Sequence, residues 1–332
     1  MFGRAGSPLH EVCGKNGLAF IACKNKKLNK KDNYFYLKQL VKELKPDVIH
    51  LHTSDSLTVY TIADMLLGLK TKTIFAKKGM GSSSSLLSKF KYNYKNIAAL
   101  LCVSKKVQTD FSKILSDKNK KKTVVIYDCV STHIMENKGQ AFNLREKYNL
   151  GDKAIIGNIA NHTKAKDLFT LIDTVDYMVN VIGNRNVAFI QIGEFSGLTD
   201  ELLALVKEKG LEDFIFYTDI IEEAYGYNFQ FDAFIMTSER EGGPTSVLEA
   251  MLMGTPVVST NVGIVPEVIT DGINGFVAEV KDSKALAEKL NTLLSDKELQ
   301  QKFTAISKEK ILENNAADAI AKRTLEIYKS IQ

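Results

Sequence analysis

Short apolar runs alternate with amphipathic stretches over the first 126 residues of the chain. The runs are continuous in Ile, Val and Leu, which is typical of parallel strands covered on both faces, and the stretches between them carry apolar residues at helical spacing. Ser54 or Asp55 is expected to cap the helix that ends near Gly68, and Ser104 the helix that runs to Leu115. The pattern predicts strands at residues 17–22, 47–52, 71–76, 98–103 and 123–126.

The same rhythm restarts after a polar stretch, residues 131–151, which is predicted to be a linker with one helix. Further strands are predicted at residues 154–160, 187–193, 214–217, 231–237 and 255–260, and the chain is predicted to be helical from Ser283 onwards. Alternating strands and helices imply doubly wound α/β sheets. We therefore expect an N-terminal domain over residues 1–133, a C-terminal domain over 134–316, and a last helix over 317–332 that packs back towards the N-terminal domain.

Composition and charge narrow the choice of partners. The 332 residues are enough for about two domains. The net charge of +5 comes mostly from lysine clusters such as residues 118–122. Such clusters usually form solvated faces, with weak attraction to anionic lipid as the second interpretation. No basic stripe is interleaved with stacking aromatic residues, so a nucleic-acid partner is not expected.

Cysteine usage and hydropathy bear on the compartment. The four cysteines, Cys13, Cys23, Cys102 and Cys129, form no C-x-x-C pair and have no metal-ligand spacing. This usage fits a reducing compartment. No signal peptide is recognisable, and no apolar run approaches the ~20 residues of a membrane span. We expect a cytoplasmic protein. A second expectation is weak peripheral contact with the inner face of the membrane.

The segment from Phe231 to Asp282 carries the most informative chemistry. A predicted strand ends in a loop with Gly242 and Gly243, and a helix is expected to follow with Pro244 in its first turn. The glycines let the backbone approach a ligand, and the free N–H groups of the helix start form an anion site that fits a diphosphate. Glu249 lies about one turn inside this helix, where its carboxylate can accept hydrogen bonds from two vicinal sugar hydroxyls.

This segment resembles the retaining group 1 glycosyltransferases (family 4, GT-B fold). Glu241 and Glu249 match the family's E(x7)E motif, and residues 254–260, 263–267 and 271–276 match its continuation. The resemblance implies two Rossmann-like domains facing a cleft. It also implies a hexosyltransferase that moves a sugar from a UDP- or GDP-sugar to a glycan or lipid-linked acceptor, in bacterial surface polysaccharide or lipopolysaccharide synthesis. Neither a metal nor a cofactor is expected besides the nucleotide-sugar, which is a substrate.

The resemblance also implies roles for individual residues on the donor side. Glu249 should hold the nucleotide ribose, and Glu241 should approach the donor sugar as a catalytic residue. Lys166 matches a lysine that neutralises the diphosphate, whereas Asn161, His162 or Thr163 stands where the family has an arginine. Asn161 is therefore a donor-site candidate and Lys164 a substitute cation. The backbone of four residues should bind the phosphate and the sugar: Gly242, Gly243, Thr245 and Ser246. The nucleobase is expected near the loop that follows residues 214–219.

In the N-terminal half, residues 46–52 resemble the family's Pro-Asp-x-x-His-x-His strand end. His52 is the second catalytic candidate, because the corresponding histidine contacts the donor sugar in relatives. His50 lies on the same face of the strand and is interpreted as a core or supporting residue. Lys77, Lys78 and Ser82 are expected to border the acceptor.

Two departures from the family's pattern leave alternative functions open. The family's first strand–loop–helix unit is expected to be absent, since the segment beginning at Gly6 comes almost at once. Together with the missing arginine, this leaves a non-catalytic nucleotide-sugar-binding remnant as the second hypothesis. A nicotinamide-dependent oxidoreductase ranks last, because no G-x-G-x-x-G motif follows a first strand.

Overall fold

The computed structural model describes residues 1–25, 27–79, 85–136 and 142–331 and divides into two compact units. The first unit comprises Met1–Ile126 with Thr324–Gln332, and the second comprises Tyr127–Arg323. The division follows residue 126 rather than residue 133, because Val130 and Ile134 are buried in the core of the second unit. Val130 also exchanges backbone hydrogen bonds with Asn315 and Ala317.

The first unit opens with a short parallel strand pair that a helix connects. Its elements are β1 (Phe2–Gly3), α1 (Pro8–Lys15) and β2 (Ile21–Ala22). The Ser7 hydroxyl caps α1 by accepting a hydrogen bond from the His10 N–H. Because α1 begins within the segment that starts at Gly6, it is not the strand–loop–helix unit that the resemblance places before that segment. The expectation that this earlier unit is absent stays a prediction.

A four-stranded parallel sheet forms the centre of the first unit, in the order β3-β4-β5-β6. Thr53, rather than Ser54 or Asp55, caps α3 in a capping box with Ser56, and Gly68 ends that helix in the left-handed conformation. The elements are α2 (Lys31–Leu44), β3 (Val48–Leu51), α3 (Ser54–Leu67), β4 (Lys72–Lys77), α4 (Leu86–Tyr92), β5 (Ile97–Cys102), α5 (Lys105–Ser112), α6 (Asp117–Lys120) and β6 (Thr123–Val125).

The second unit is built on a six-stranded parallel sheet, in the order β12-β11-β10-β7-β8-β9. Short turns of 3-10 or π helix lie at Thr132–Met135, Lys164–Lys166, Tyr177–Val181 and Ala224–Gln230. The regular elements are α7 (Leu144–Lys147), β7 (Ala154–Ile159), α8 (Leu168–Asp176), β8 (Val187–Ile192), α9 (Thr199–Glu208), β9 (Ile215–Thr218), β10 (Ala233–Met236), α10 (Thr245–Met253), β11 (Val257–Thr260), α11 (Val265–Val268), β12 (Phe276–Ala278), α12 (Ser283–Ser295), α13 (Lys297–Asn314) and α14 (Ala317–Ser330).

Apolar clusters cover both faces of the four-stranded and the six-stranded sheet, as the continuous hydrophobic runs predict. The end of α14 belongs to the first unit, where Ile327 and Tyr328 pack against a buried cluster of sheet residues that includes Ile74. The prediction of an α/β protein with two Rossmann-like units and parallel sheets is confirmed. The sequence analysis missed α4 and β12, since both are too short for a periodic signal. None of the helices in the described ranges is long and apolar enough to cross a membrane.

Candidate functional site

A cavity of about 310 Å³ lies in the second unit, beyond the carboxyl ends of β7 and β8 and beside the start of α10. Ligands of open α/β sheets bind at this end of the strands. Seven of the residues predicted for the donor side line it: Asn161, Lys166, Glu241, Gly243, Thr245, Ser246 and Glu249. The fold thus gathers residues from two separate stretches of sequence, 161–166 and 241–249, around one space.

Two loops that contribute to the cavity are bound to each other by hydrogen bonds to backbone carbonyl oxygens. The Glu239 N–H donates to the Ala165 carbonyl oxygen over 2.9 Å. The Thr237 hydroxyl donates to the carbonyl oxygens of Lys166 and Asp167 over 3.2 and 3.1 Å. Asp167 has a left-handed conformation and caps α8 by accepting from the Thr170 N–H. These contacts hold Lys166 and Glu241 at fixed positions on the wall.

Lys166 and Glu241 form an ion pair with 2.5 Å between Nζ and Oε1. The Ser238 hydroxyl donates to the same carboxylate oxygen over 3.0 Å. The two side chains are 26% and 13% exposed, so water screens the pair less than it would at an open surface. An anionic ligand in the cavity would compete with Glu241 for the ammonium group.

Glu249 differs from Glu241 in its surroundings. Its half-buried side chain makes no hydrogen bond or ion pair with any residue in the described ranges, and burial raises the pKa of its carboxyl group. A carboxylate that loses water without gaining a protein partner is costly to maintain. Its position on the cavity wall suits a ligand that donates hydrogen bonds, such as a diol.

The start of α10 supplies backbone donors. Pro244 is the residue before the helix rather than a member of its first turn, and it makes no side-chain cap. The N–H groups of Thr245 and Ser246 have no hydrogen-bond partner within the part of the chain that the structure describes. Uncapped N–H groups at a helix start favour an anion.

Close packing behind the loop restricts its glycines. A Cβ atom on Gly243 would lie 2.4 Å from Oδ2 of Asp128. Gly263 has a φ of +56°, and a Cβ atom there would lie 2.6 Å from the carbonyl oxygen of Gly242. Gly242 is buried behind the wall, so of the two loop glycines Gly243 is the one that faces the cavity.

An apolar side of the cavity was missed by the sequence analysis. Ile220, Ile221 and Ala224 line it, together with Ile159 and Ile192 at the strand ends. The first three follow β9, in the region where the resemblance placed the nucleobase. The adjacent isoleucines were a usable signal, because an apolar pair in a loop is normally covered by something.

The residues that stand where the family has an arginine lie in different environments. His162 is buried, and its ring nitrogens lie 2.8 Å from the Thr199 hydroxyl and 2.8 Å from the Gln191 side-chain oxygen. His162 is therefore a structural residue of the interior. Lys164 is exposed and does not line the cavity, whereas Asn161 does and also accepts a hydrogen bond from the Glu194 N–H. Lys166 is the lysine that the fold brings to the wall.

The acceptor-side candidates lie at the carboxyl ends of β3 and β4 in the first unit. The rings of His50 and His52 are 4.0 Å apart between centroids, and Nδ1 of His50 lies 2.5 Å from the Tyr328 hydroxyl oxygen. Burial, His52 and Lys78 lower the pKa of His50 to about 4, and burial and Lys78 lower that of His52. Burial lowers the pKa of Lys77. Ser82 lies outside the described residues.

Comparison with known proteins places this geometry in a family. N-acetyl-alpha-D-glucosaminyl L-malate synthase of Bacillus anthracis is 22% identical over 293 residues, which cover 86% of this chain and 75% of that protein. The O-antigen biosynthesis glycosyltransferase WclY of Escherichia coli is 26% identical over 200 residues, 59% of this chain and 53% of the relative. The chain thus spans about half the length of this second relative.

Solved structures show the same fold at low identity. A glycosyltransferase from Rickettsia africae superposes with a TM-score of 0.84 at 19% identity, covering 99% of this chain and 89% of that one. Anabaena HepE in complex with UDP superposes with a TM-score of 0.83 at 19% identity, covering 99% and 91%. The fold is the GT-B type. Residues 140–310, slightly more than half of the chain, match the model of the family Glycosyl transferases group 1. The chain therefore belongs to the group 1 glycosyltransferases.

Proposed function

We propose that this protein is a retaining transferase of family 4. It would move a sugar from a UDP- or GDP-sugar to a glycan or lipid-linked acceptor in bacterial polysaccharide or lipopolysaccharide synthesis. The observation that carries the proposal is the combination, around one cavity, of helix-start N–H groups, the ammonium of Lys166 and the carboxylate of Glu249, which has no partner among the described residues. Relatives named for O-antigen and capsular polysaccharide biosynthesis support this biological setting.

The residues that line the cavity suit the diphosphate, the ribose and the base of a nucleotide-sugar. The N–H groups of Thr245 and Ser246 and the ammonium of Lys166 would bind the diphosphate. Glu249 would accept hydrogen bonds from the ribose hydroxyls, and the Ile220–Ile221 wall would contact the base. Anabaena HepE, which shares the fold, has been crystallised with UDP-glucose, and this supports a donor of that class.

The same groups would accelerate the reaction. Cleavage of the donor develops negative charge on the leaving diphosphate, and preorganised donors stabilise such charge without a metal. Glu241 and His52 would position the sugar, and the leaving phosphate would take the acceptor's proton. Because Glu241 and the diphosphate compete for Lys166, donor binding would release the Glu241 carboxylate towards the sugar.

A binding panel tests the proposal. The purified chain is titrated with UDP, GDP, ADP and their common sugar conjugates by thermal shift and calorimetry. We expect one nucleotide class to raise the melting temperature selectively, since saturation at a hundredfold excess over Kd stabilises by about 2.7 kcal/mol. Lys166→Met should weaken binding about tenfold, whereas Lys164→Met, a neighbouring lysine outside the cavity, should leave it unchanged. No response to any nucleotide would refute the donor site.

The remnant hypothesis predicts binding without chemistry. To separate the transferase hypothesis from the remnant hypothesis, we would measure the release of free sugar from the donor that binds best. The measurement is made with and without added glycan acceptors. Turnover that Lys166→Met lowers would support the transferase, and binding with no detectable turnover would support the remnant.

A further inference from the structure

Helix α4 in the first unit exposes three large apolar side chains. Leu86 is 86%, Leu87 70% and Phe90 49% exposed. Tyr92 of the same helix is buried, with its ring centroid 5.5 Å from that of Phe75 and 4.9 Å from that of Phe111. Tyr92 thus packs the helix against the core of the first unit, while Leu86, Leu87 and Phe90 remain exposed to water. Single exposed apolar residues are ordinary, but three within five positions call for a partner.

The surroundings of this helix are strongly basic. Residues 85–126 contain ten lysines and two aspartates, although the whole chain carries a net charge of only +5. The excess of cations is therefore concentrated in this part of the first unit, and the rest of the chain is slightly acidic. A concentration of one sign of charge attracts a partner of the opposite sign.

Hydrogen bonds place part of this charge next to α4. The Asn93 side chain, at the end of the helix, donates to the Ile114 carbonyl oxygen over 3.1 Å and accepts from the Ser116 N–H over 2.7 Å. The Asn119 side chain donates to the Tyr92 carbonyl oxygen over 3.2 Å. The lysine cluster of residues 118–122 is consequently adjacent to the apolar helix in space, although it is distant in sequence.

Only some of these lysines are neutralised. Asp110 pairs with Lys106 and Lys113, and Asp117 pairs with Lys120. Four others make no ion pair with any residue in the described ranges: Lys89, Lys95, Lys118 and Lys121. We call these four lysines together with Leu86, Leu87 and Phe90 the α4 surface.

We propose that the α4 surface docks the protein on an anionic phospholipid membrane. Leu86, Leu87 and Phe90 would enter the boundary between headgroups and acyl chains, and the lysines would contact the lipid phosphates. A purely electrostatic partner such as a nucleic acid would need the lysines but not the leucines. The inference rests on exposure and charge in the first unit and does not depend on the proposed donor chemistry.

Vesicle sedimentation of the full chain tests whether the α4 surface docks on an anionic membrane. Vesicles of phosphatidylcholine alone are compared with vesicles that also contain phosphatidylglycerol. We expect binding only where phosphatidylglycerol is present, with a decrease at high salt. The double variants Leu86→Ser/Leu87→Ser and Lys118→Gln/Lys121→Gln should each lower the partition coefficient by about tenfold or more.

Matched controls lie in the second unit. Val181→Ser/Leu203→Ser removes two apolar side chains that are 65% and 43% exposed, and Lys302→Gln/Lys308→Gln removes two exposed lysines. Both should bind vesicles like the wild type, and all variants should keep its melting temperature. The proposal is overturned if the wild type does not prefer phosphatidylglycerol, or if the α4 variants bind like the controls. Loss of binding in the lysine variant alone, with RNA displacing the protein from vesicles, would instead identify a polyanion site.

Discussion

The carboxyl edges of the two sheets carry different kinds of charge. In the second unit, a cation and a carboxylate are paired at 2.5 Å, and a second carboxylate, Glu249, has no partner among the residues that the structure describes. At the edge of the first unit, the rings of His50 and His52 lie 4.0 Å apart between centroids, tilted by 31°, and burial and Lys78 lower the pKa of both. The same strand–helix architecture therefore presents charged groups at one edge and imidazole rings at the other; under the proposed function, the first edge would bind an anion and a diol.

The difference in charge between the two sheet edges arises from burial as well as from residue type. Burial and the nearby cation hold the pKa values of both histidines below the usual range, so that the rings are neutral at pH 7. Neutral imidazole can donate and accept hydrogen bonds with sugar hydroxyls without attracting a diphosphate. If the comparison is right, variants at the two edges should affect different steps.

The largest expected effect is that of Glu241→Gln on turnover. Loss of the carboxylate next to the sugar should lower turnover by about 100-fold. Affinity for the nucleotide diphosphate should rise about threefold, because Lys166 no longer has an anionic competitor within the protein. Glu239→Gln, in the same loop and paired with Lys281, is the matched control and should change neither quantity. Weaker nucleotide binding in Glu241→Gln would show that the ion pair supports the site instead of competing with the ligand.

Glu249→Ala should act mainly on affinity. Removal of an acceptor for two ribose hydroxyls should raise the Kd of the nucleotide by about 10–100-fold in calorimetry. The melting temperature should stay constant or rise, because the carboxylate has no protein partner among the described residues. A substantial fall in melting temperature at unchanged affinity would assign Glu249 to stability and contradict its role at the donor.

His52→Ala probes the first unit alone. We expect turnover to fall about tenfold through the loss of one hydrogen bond to the sugar, with the nucleotide Kd within a factor of about two of the wild type. Turnover and affinity are measured on the same preparations. A His52 variant that lost nucleotide affinity would remove the distinction between the two edges.

The smallest effect concerns pH and His50. Its pKa of about 4 in the folded protein lies below the usual 6.5, so the unfolded chain binds more protons between these values. The contribution to stability is complete above pH 6.5 and is lost as the pH falls towards 4. With a discount for the half-exposed ring, we expect about 1 kcal/mol. Urea unfolding of the wild type and His50→Gln across this range should show a smaller pH dependence in the variant, and equal slopes would contradict the assignment.

Motif spacing was sufficient to identify the family and the two glutamates, because Glu241 and Glu249 lie in one loop–helix segment whose geometry is local. Lys166 and Asn161 followed from a second local segment. The pairing of Lys166 with Glu241 and the close approach of Asp128 to Gly243 were not predictable, since they join residues far apart in the chain. The Ile220–Ile221 wall was visible as an apolar pair, but its direction depends on how the loop leaves β9.

Local pattern by itself determined that this chain forms parallel sheets with helices between the strands, and that a glycine-containing loop leads into a helix just before Thr245. Those properties depend on the periodicity of apolar residues and on backbone groups near each other in sequence. Tertiary structure alone decided which charges neutralise one another, which histidine is interior, and that α4 meets the lysine cluster of residues 118–122. These depend on through-space distance and burial, and only the packed fold brings such residues together.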